Sequence, residues 1–353
     1  MITRLHVQNF KGIADLRLNG FTGLNVLLGV NDTGKTGLLK LMYALSKSIR
    51  SYSLAQKTSK ESFTTILEDK LKHTFKPRIS GINELISSGE TEASIEAGFD
   101  LLGSRIDPLS VHIISDKKRK TTELSSPQAI PLVHEDFDSV FLPPKEVLSI
   151  HRDIIYSREK GELDGFDDTY YDLAKALERS TTKGRTHDAL VTVINKLEKL
   201  FTQTKVYYDE VARDFYLEKK GTRYSITMAA EGIRKIGLLT TLIRNRELYR
   251  DGHLFVDEPE TTLHPVAIRS FMEMLLEMTK ANIQVFLATH NYFVLKELEI
   301  LAKTSKIPVM CYSLMKDTDA ISVESSDLRE AIPDNEIIEE SIRLLQADLR
   351  TKI

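Results

Sequence analysis

The chain cannot close even one intramolecular disulfide, because Cys311 is its only cysteine, a count that suits a reducing cytosol. It holds no run approaching the ~18–20 apolar residues that span a bilayer. No charged-then-apolar leader opens it, since Met1-Ile2-Thr3-Arg4-Leu5-His6-Val7 alternates as a strand does. An excess of one charge is missing too. Against 51 Asp and Glu stand 48 Lys and Arg, a formal −3, so any nucleic-acid contact has to be local. The lone cysteine and scattered histidines lack metal-ligand spacing, which leaves no support for a zinc-type site. Neither an internal repeat nor a heptad run long enough for a coiled-coil arm is visible. What is left is a cytoplasmic protein with no membrane contact. Its 353 residues, 41% hydrophobic, suffice for one large or two modest domains.

What is present centres on Leu24-Asn25-Val26-Leu27-Leu28, followed by Gly29-Val30-Asn31-Asp32-Thr33-Gly34-Lys35-Thr36. The first five residues read as a buried strand, and the next eight have the G-x-x-x-x-G-K-[ST] spacing. Leu38, Leu41, Met42 and Leu45 then recur at helical intervals. A loop of this kind turns successive backbone N–H groups inward, which suits the oxygens of a di- or triphosphate. Gly29, Asn31, Asp32, Thr33, Gly34, Lys35, Thr36 and Gly37 are the candidate nucleotide contacts. Lys35 is placed to reach the β- and γ-phosphates, and Thr36 to ligate Mg²⁺.

Around that loop the chain reads as α/β. Ile2 to Val7 and Ile13 to Leu18 pair as strands about the turn Asn9-Phe10-Lys11-Gly12. A polar segment, Ser46 to Lys76, contains a helix around Phe63 to His73. Ala93 to Leu101 and Ser110 to Ser115 are strands, with Asp116-Lys117-Lys118-Arg119-Lys120 a cationic hairpin tip. Val140-Phe141-Leu142 stops at Pro143-Pro144. Helical spacing over Thr169–Leu177 and Asp188–Phe201 predicts a small helical lobe, roughly 152–204, inserted in a single domain covering 1–353. Strand-like alternation returns over Val206–Glu210, Phe215–Glu218 and Tyr224–Thr227. A helix from Glu231 to Leu248, a strand to Val256, a helix from Pro265 to Lys280 and a strand from Ile283 to Ala288 follow.

Leu254-Phe255-Val256-Asp257-Glu258 is an apolar strand ending in two acids. Many strands end in Asp at a turn, and this one gains meaning only beside a phosphate loop. There Asp257 can hold Mg²⁺ with Thr36, and Glu258 can act as general base on the attacking water. Twenty-six residues before Asp257 lies Glu231, in Ala229-Ala230-Glu231-Gly232-Ile233-Arg234-Lys235 at a helix start. Thirty-three residues after it, another apolar strand ends in Thr289-His290-Asn291.

This order of phosphate loop, distant glycine at a helix start, acidic strand and histidine resembles the ABC-type ATPases. Glu258-Pro259-Glu260-Thr261-Thr262-Leu263-His264-Pro265 and Ala288-Thr289-His290-Asn291 resemble the branch holding RecF, the SMC heads and the OLD nucleases. Phe141-Leu142-Pro143-Pro144-Lys145-Glu146-Val147-Leu148-Ser149 is similar to the stand-alone bacterial ATPases of anti-phage defence islands within it. The resemblance implies a P-loop fold of SMC-head type with a mixed sheet, no coiled-coil arm, and ATP with Mg²⁺ as ligands. It implies ATP sandwiched between two copies, the loop of one facing Glu231 and Gly232 of the other. Lys35, Glu258 and His290 become the catalytic set, His290 sensing the γ-phosphate, and Glu260 to Leu263 crosses the seam. The signature lacks the serine and double glycine of transporters, and Lys145 or Glu146 stands where the family's glutamine loop falls. The roughly sixty residues after His290 leave too little room for a fused OLD-type nuclease. Hydrolysis then drives a switch in a homodimer or higher oligomer. That switch controls a separate effector, possibly a nuclease, or acts on DNA as RecF-like proteins do.

Several residues carry a plainer reading beside the functional one. His264, before a proline, suits a structural place at a helix start. Glu231 is equally a first-turn acid favoured by the helix dipole. Lys117 to Lys120 form a solvated tip or a local contact for a few phosphates. Ile338, Ile342, Leu345 and Leu349 stripe a helix from Asn335 to Lys352, packing on their own domain or on a partner.

Overall fold

The structure, a computed structural model, describes residues 1–101, 104–116, 121–126, 130–134, 137–160, 165–179, 190–195, 205–248, 251–317 and 320–351. Its centre is a six-stranded sheet in the order β14-β13-β3-β12-β11-β7. These strands are β3 (Leu24–Leu28), β7 (Ser139–Leu142), β11 (His253–Asp257), β12 (Gln284–Thr289), β13 (Val309–Asp317) and β14 (Ala320–Asp327). All neighbours are parallel except β13 and β14. β3, β7, β11 and β12 are buried at every position, as expected of parallel strands covered on both faces.

Side chains alternating along these strands feed two separate cores. Leu254, Val256, Val285 and Leu287 face one core with the helices α5 (Glu231–Arg244), α6 (Pro265–Thr279) and α7 (Tyr292–Ser305). Phe255, Phe286 and Ala288 face the other. That second core holds α1 (Lys35–Ala55), α2 (Phe63–Phe75) and an antiparallel sheet, β2-β1-β4-β5-β6. This sheet comprises β1 (Ile2–Phe10), β2 (Ile13–Asn19), β4 (Glu92–Leu101), β5 (Ser104–Asp116) and β6 (Thr121–Ser125). Gln284 ties the two sheets together. Its amide accepts from Ile2 N (2.6 Å) and donates to Ile2 O (2.8 Å).

The helices α3 (His151–Lys160) and α4 (Asp168–Glu178) contribute Ile154, Leu173 and Leu177 to the first core, and 190–195 is helical. The rest of the predicted Asp188–Phe201 helix, like the tip at Lys117–Lys120, lies outside the described residues. A small sheet of β8 (Lys205–Asp209), β9 (Asp214–Lys219) and β10 (Thr222–Ser225) leads into α5, and α8 (Glu336–Thr351) follows β14. No long coiled-coil arm occurs among the described residues, and no helix there is long and apolar enough to cross a membrane.

Two local expectations are corrected. The helix after the loop does not end at Ser46 but runs to Ala55. Ser46 is buried in it with partners from other strands: its Oγ lies 2.6 Å from Ser139 Oγ and 2.7 Å from His253 Nδ1. The strands β13 and β14 were not anticipated at all. β13 nevertheless flanks β3 directly, across from β12.

Candidate functional site

The strand order fixes what meets at the carboxyl edge of the main sheet, the edge where open α/β sheets take their ligands. β12 lies between β3 and β11, with Thr289 level with Leu28, and Asp257 level with Ala288. The phosphate loop, the two acids and Thr289-His290 therefore emerge side by side.

The loop is held from below. Gly29 packs so tightly that a Cβ there would stand 2.6 Å from Leu314 O of β13 and 2.8 Å from Thr33 Oγ1. Thr33, fully buried, donates to Val30 O at 2.9 Å. Asp32 (φ +66°) and Gly34 (φ +83°) take left-handed backbone at the bend. Asn31 and Asp32 are exposed, and the Asp32 carboxylate pairs with Lys316 Nζ at the end of β13. Lys35 is buried, its ammonium folded into the loop and donating to Gly29 O and Val30 O, each at 2.7 Å. Burial lowers its pKa, against the pull of Glu258, Asp257 and Glu260.

Thr36 and Asp257 come together directly. The Thr36 hydroxyl lies 3.0 Å from both carboxylate oxygens. Asp257 is 3% exposed, and burial pushes its pKa up to about 6, with Glu258 adding to the rise and the Thr36 bond opposing it. A buried carboxylate short of positive charge beside a hydroxyl is a fitting pair of oxygen donors for Mg²⁺. Mg²⁺ typically takes one or two carboxylates and completes its shell with phosphates and water. Among the described residues no cluster of three His, Cys, Asp or Glu side chains is set to hold a metal by itself.

Glu258 follows in left-handed backbone (φ +44°), its N–H extending the sheet ladder to Ala288 O at 2.9 Å. That twist turns its side chain to His290, whose Nδ1 lies 3.1 Å from Glu258 Oε1. Beyond them Glu260, 9% exposed, accepts from Thr289 Oγ1 at 2.6 Å, while its second oxygen is buried without a partner. An open groove of about 670 Å³ runs beside the loop, lined by Gly12, Asp32, Gly34, Gly37, Ser87 and Lys316 among others.

Glu231 and Gly232 are not brought to this loop. They open α5, and a Cβ on Gly232 would meet only Thr262 O and Leu263, both at 3.6 Å. Glu146 is engaged with Arg234 of α5 at 3.2 Å, and its carboxylate accepts from Ser149 N. His264 caps α6 by accepting from Val266 N, the plainer of its two readings.

Lys235 and Lys316 carry site geometry that sequence reasoning passed over. Lys235 Nζ is buried and donates to Pro259 O at 2.9 Å, joining α5 to the acidic turn. Burial lowers its pKa to about 8 against nearby carboxylates. The signal available was a lysine next to Arg234, between Ile233 and Ile236 near the start of a helix, which is faint. For Lys316 it was the apolar run Val309 to Leu314 leading up to it.

A protein-family profile described as "AAA domain, putative AbiEii toxin, Type IV TA system" matches residues 24–296. The DNA replication and repair protein RecF of Shewanella woodyi is 30% identical over 147 residues, 41% of this chain but 35% of that protein. The chain thus spans about a third of that relative's length. A protein of Helicobacter pylori named ATP/GTP phosphatase is 18% identical over 335 residues, covering 82% of this chain and 85% of that one. Among solved structures, an SMC head bound to the C-winged helix domain of ScpA aligns over 93% of this chain and 98% of its own, with TM-score 0.55 and 11% identity. An SMC head with an extended coiled coil, bound to the C-terminal domain of ScpA derived from Pyrococcus furiosus, aligns over 97% and 99%, with TM-score 0.53 and 12% identity. The fold is that of SMC-head P-loop ATPase domains.

Proposed function

The chain belongs to the AbiEii-type family of AAA domains, and from that premise we propose that it is an ATP-hydrolysing switch whose two copies close on the nucleotide. The observation that carries this reading is the convergence of Lys35, Thr36, Asp257, Glu258 and His290 on one sheet edge. The loop's N–H groups and Lys35 bind the β- and γ-phosphates, and the nucleoside end runs along the groove at Gly34 and Gly37. Thr36 and Asp257 hold Mg²⁺, which when bound neutralises phosphate charge. Glu258 takes the proton from the water that attacks the γ-phosphate in line, and His290 fixes the direction of its carboxylate. Lys235 and the Thr289–Glu260 bond keep the turn that carries Glu258 in register with α5 and β12.

Glu231 and Gly232 act on the other copy's nucleotide, through the N–H groups at the start of α5. We read 152–204 as an insertion within one ATPase domain. The cycle of closing and opening works on a separate effector in an anti-phage or toxin-like system, in the cytoplasm.

The test is Glu258→Gln. It retains ATP binding, accumulates a nucleotide-bound dimer and loses about 10²–10⁴ in turnover, the usual contribution of a general base. Turnover and equilibrium binding are measured on the same preparation, with GTP beside ATP. Turnover near the wild-type rate removes Glu258 from its role.

A second reading, a DNA-handling ATPase, is favoured by the likeness to RecF. It requires duplex binding that weakens with salt at a slope near ~0.9 per phosphate neutralised. Replacing Lys117, Lys118, Arg119 and Lys120 with Ser flattens that slope if the tip makes the contact. Absence of DNA binding at low salt with ATP decides for the effector reading.

A further inference from the structure

The strand β13 runs out of the core beside the phosphate loop. Tyr312 and Leu314 belong to the core that holds α1, and Leu314 O lies under Gly29. Alternation puts Lys316 on that same face, just beyond the buried part of the strand. Ser313 is level with Leu28, so Lys316 stands past the end of β3, where the loop begins. Its neighbour across the ladder is Ile321 of β14.

The groove of about 670 Å³ beside the loop is lined, among the described residues, by four charged side chains: Lys11, Asp32, Glu84 and Lys316. Lys11 Nζ lies over the Phe75 ring, 5.4 Å from its centroid. The Glu84 carboxylate is turned onto the backbone and accepts from Ser80 N at 2.8 Å. Asp32 alone would repel an anion, but Lys316 Nζ sits 2.5 Å from its Oδ2. Lys35, folded into the loop on Gly29 O and Val30 O, is not among the groove's lining residues. The ion pair is exposed on both sides, 41% for the lysine and 86% for the aspartate, and pairs of this kind are weak. A lysine's flexible stem lets the ammonium swing from carboxylate to phosphate with no change in the backbone.

We infer that Lys316 is a second lysine of the nucleotide site, which leaves Asp32 to bind the α-phosphate where the nucleoside end enters the groove. The inference rests on the ATP-site reading. With Lys35 and Thr36 on the inner phosphates, the α-phosphate is the one that faces the groove at Gly34 and Gly37. Asp32 is the resting partner of the ammonium and keeps it at the groove's edge between nucleotides. The contact reads phosphate and not base, so it serves ATP and GTP alike.

Calorimetry with ADP in Mg²⁺-free buffer tests it. Lys316→Ala binds ADP about ten-fold more weakly than wild type, and Lys316→Arg stays within about two-fold. Without nucleotide both melt as the wild type does, since an exposed ion pair adds little. The same factor of about ten separates Asp32→Asn from Asp32→Asn/Lys316→Ala, because the lost contact is with the ligand. Asparagine tolerates the left-handed backbone at position 32. Unchanged ADP affinity in Lys316→Ala overturns the contact. So does a double variant that binds as tightly as Asp32→Asn, which reduces Lys316 to a screen for the aspartate. Lys35→Ala separates this from the site itself. If that variant loses ADP while Lys316→Ala keeps it, the contact alone fails. If ADP binds Lys35→Ala as tightly as wild type, it lies elsewhere, and the ATP-site reading fails together with the contact.

Discussion

His290 and Glu258 meet at 3.1 Å although they end different strands and stand thirty-two residues apart in the chain. The imidazole is fixed from behind. Thr289 is hydrogen-bonded to Glu260, and Asn291 caps α7 by accepting from Phe293 N and Val294 N. The histidine thus sits on a short rigid bend between two anchored neighbours.

His290→Ala accordingly retains ATP binding and loses turnover. The loss is about ten- to a hundred-fold, less than for Glu258→Gln, because the base survives without its orienting partner. Steady-state turnover beside equilibrium binding checks this, and an unchanged turnover number removes His290 from the site.

Asp257 makes the site pH-dependent. Its folded pKa of about 6 exceeds the ordinary carboxylate value, so the folded state binds the extra proton. Between the two values, stability from this group falls as pH rises, and above about 6 its full burial cost is present. In Mg²⁺-free buffer Asp257→Asn therefore raises Tm at pH 7.5, and the gain shrinks as pH is lowered through 6. Mg²⁺ must compete with the proton, so Mg²⁺-dependent nucleotide binding weakens over the same range in wild type. Thermal melts and calorimetry across pH 5–8 read both. A Tm gain independent of pH would sink the assignment.

Two glycines of the loop region separate by their surroundings. Gly29→Ala drives a methyl into Leu314 O, a backbone atom that cannot step aside, and it abolishes nucleotide binding with a clear loss of stability. Gly37, inside α1, has nothing within 4 Å of an added Cβ. Gly37→Ala stabilises by about 0.5–1 kcal/mol through helix propensity. Melting curves of the two variants, run side by side, test the contrast.

The shared site is tested by mixing. A Cβ at Gly232 finds ordinary room, so Gly232→Asp folds and binds ATP. Its carboxylate repels a partner's γ-phosphate, and the variant fails to dimerise on ATP or to hydrolyse it. Lys35→Ala fails by losing its own phosphate contact. A heterodimer of the two rebuilds one site from an intact loop and an intact signature. Partial recovery of hydrolysis in the mixture is the expected result, and wild-type activity of Gly232→Asp alone would refute the shared site.

How much of this was legible depended on the range of the physics involved. β3 could be read because a strand buried on both faces is apolar throughout, and the loop because its chemistry fixes its spacing. Asp257 and Glu258 followed from the same pattern. The continuation of α1 past Ser46 could not be read. Ser46, where it begins, looks like a solvent-facing residue until Ser139 and His253 arrive from elsewhere in the chain. Lys235 pairs with a backbone carbonyl, which leaves no trace in residue types. Lys316 meets Asp32 across 284 positions, and no local pattern foretells that meeting.

The position of β3 also sets a schedule for synthesis. Its partners on either side are β12 and β13, made more than two hundred and fifty residues later. Leu314, which shapes the floor under Gly29, belongs to the later of the two. A ribosome therefore releases the nucleotide-binding motif early and its fold late. Until β13 emerges, the nascent chain carries the residues of an ATP site with no cradle to hold them, and the exposed edge of β3 is a surface for chaperones to cover. Nucleotide affinity in stalled nascent chains should accordingly appear in one step, as that strand clears the exit tunnel.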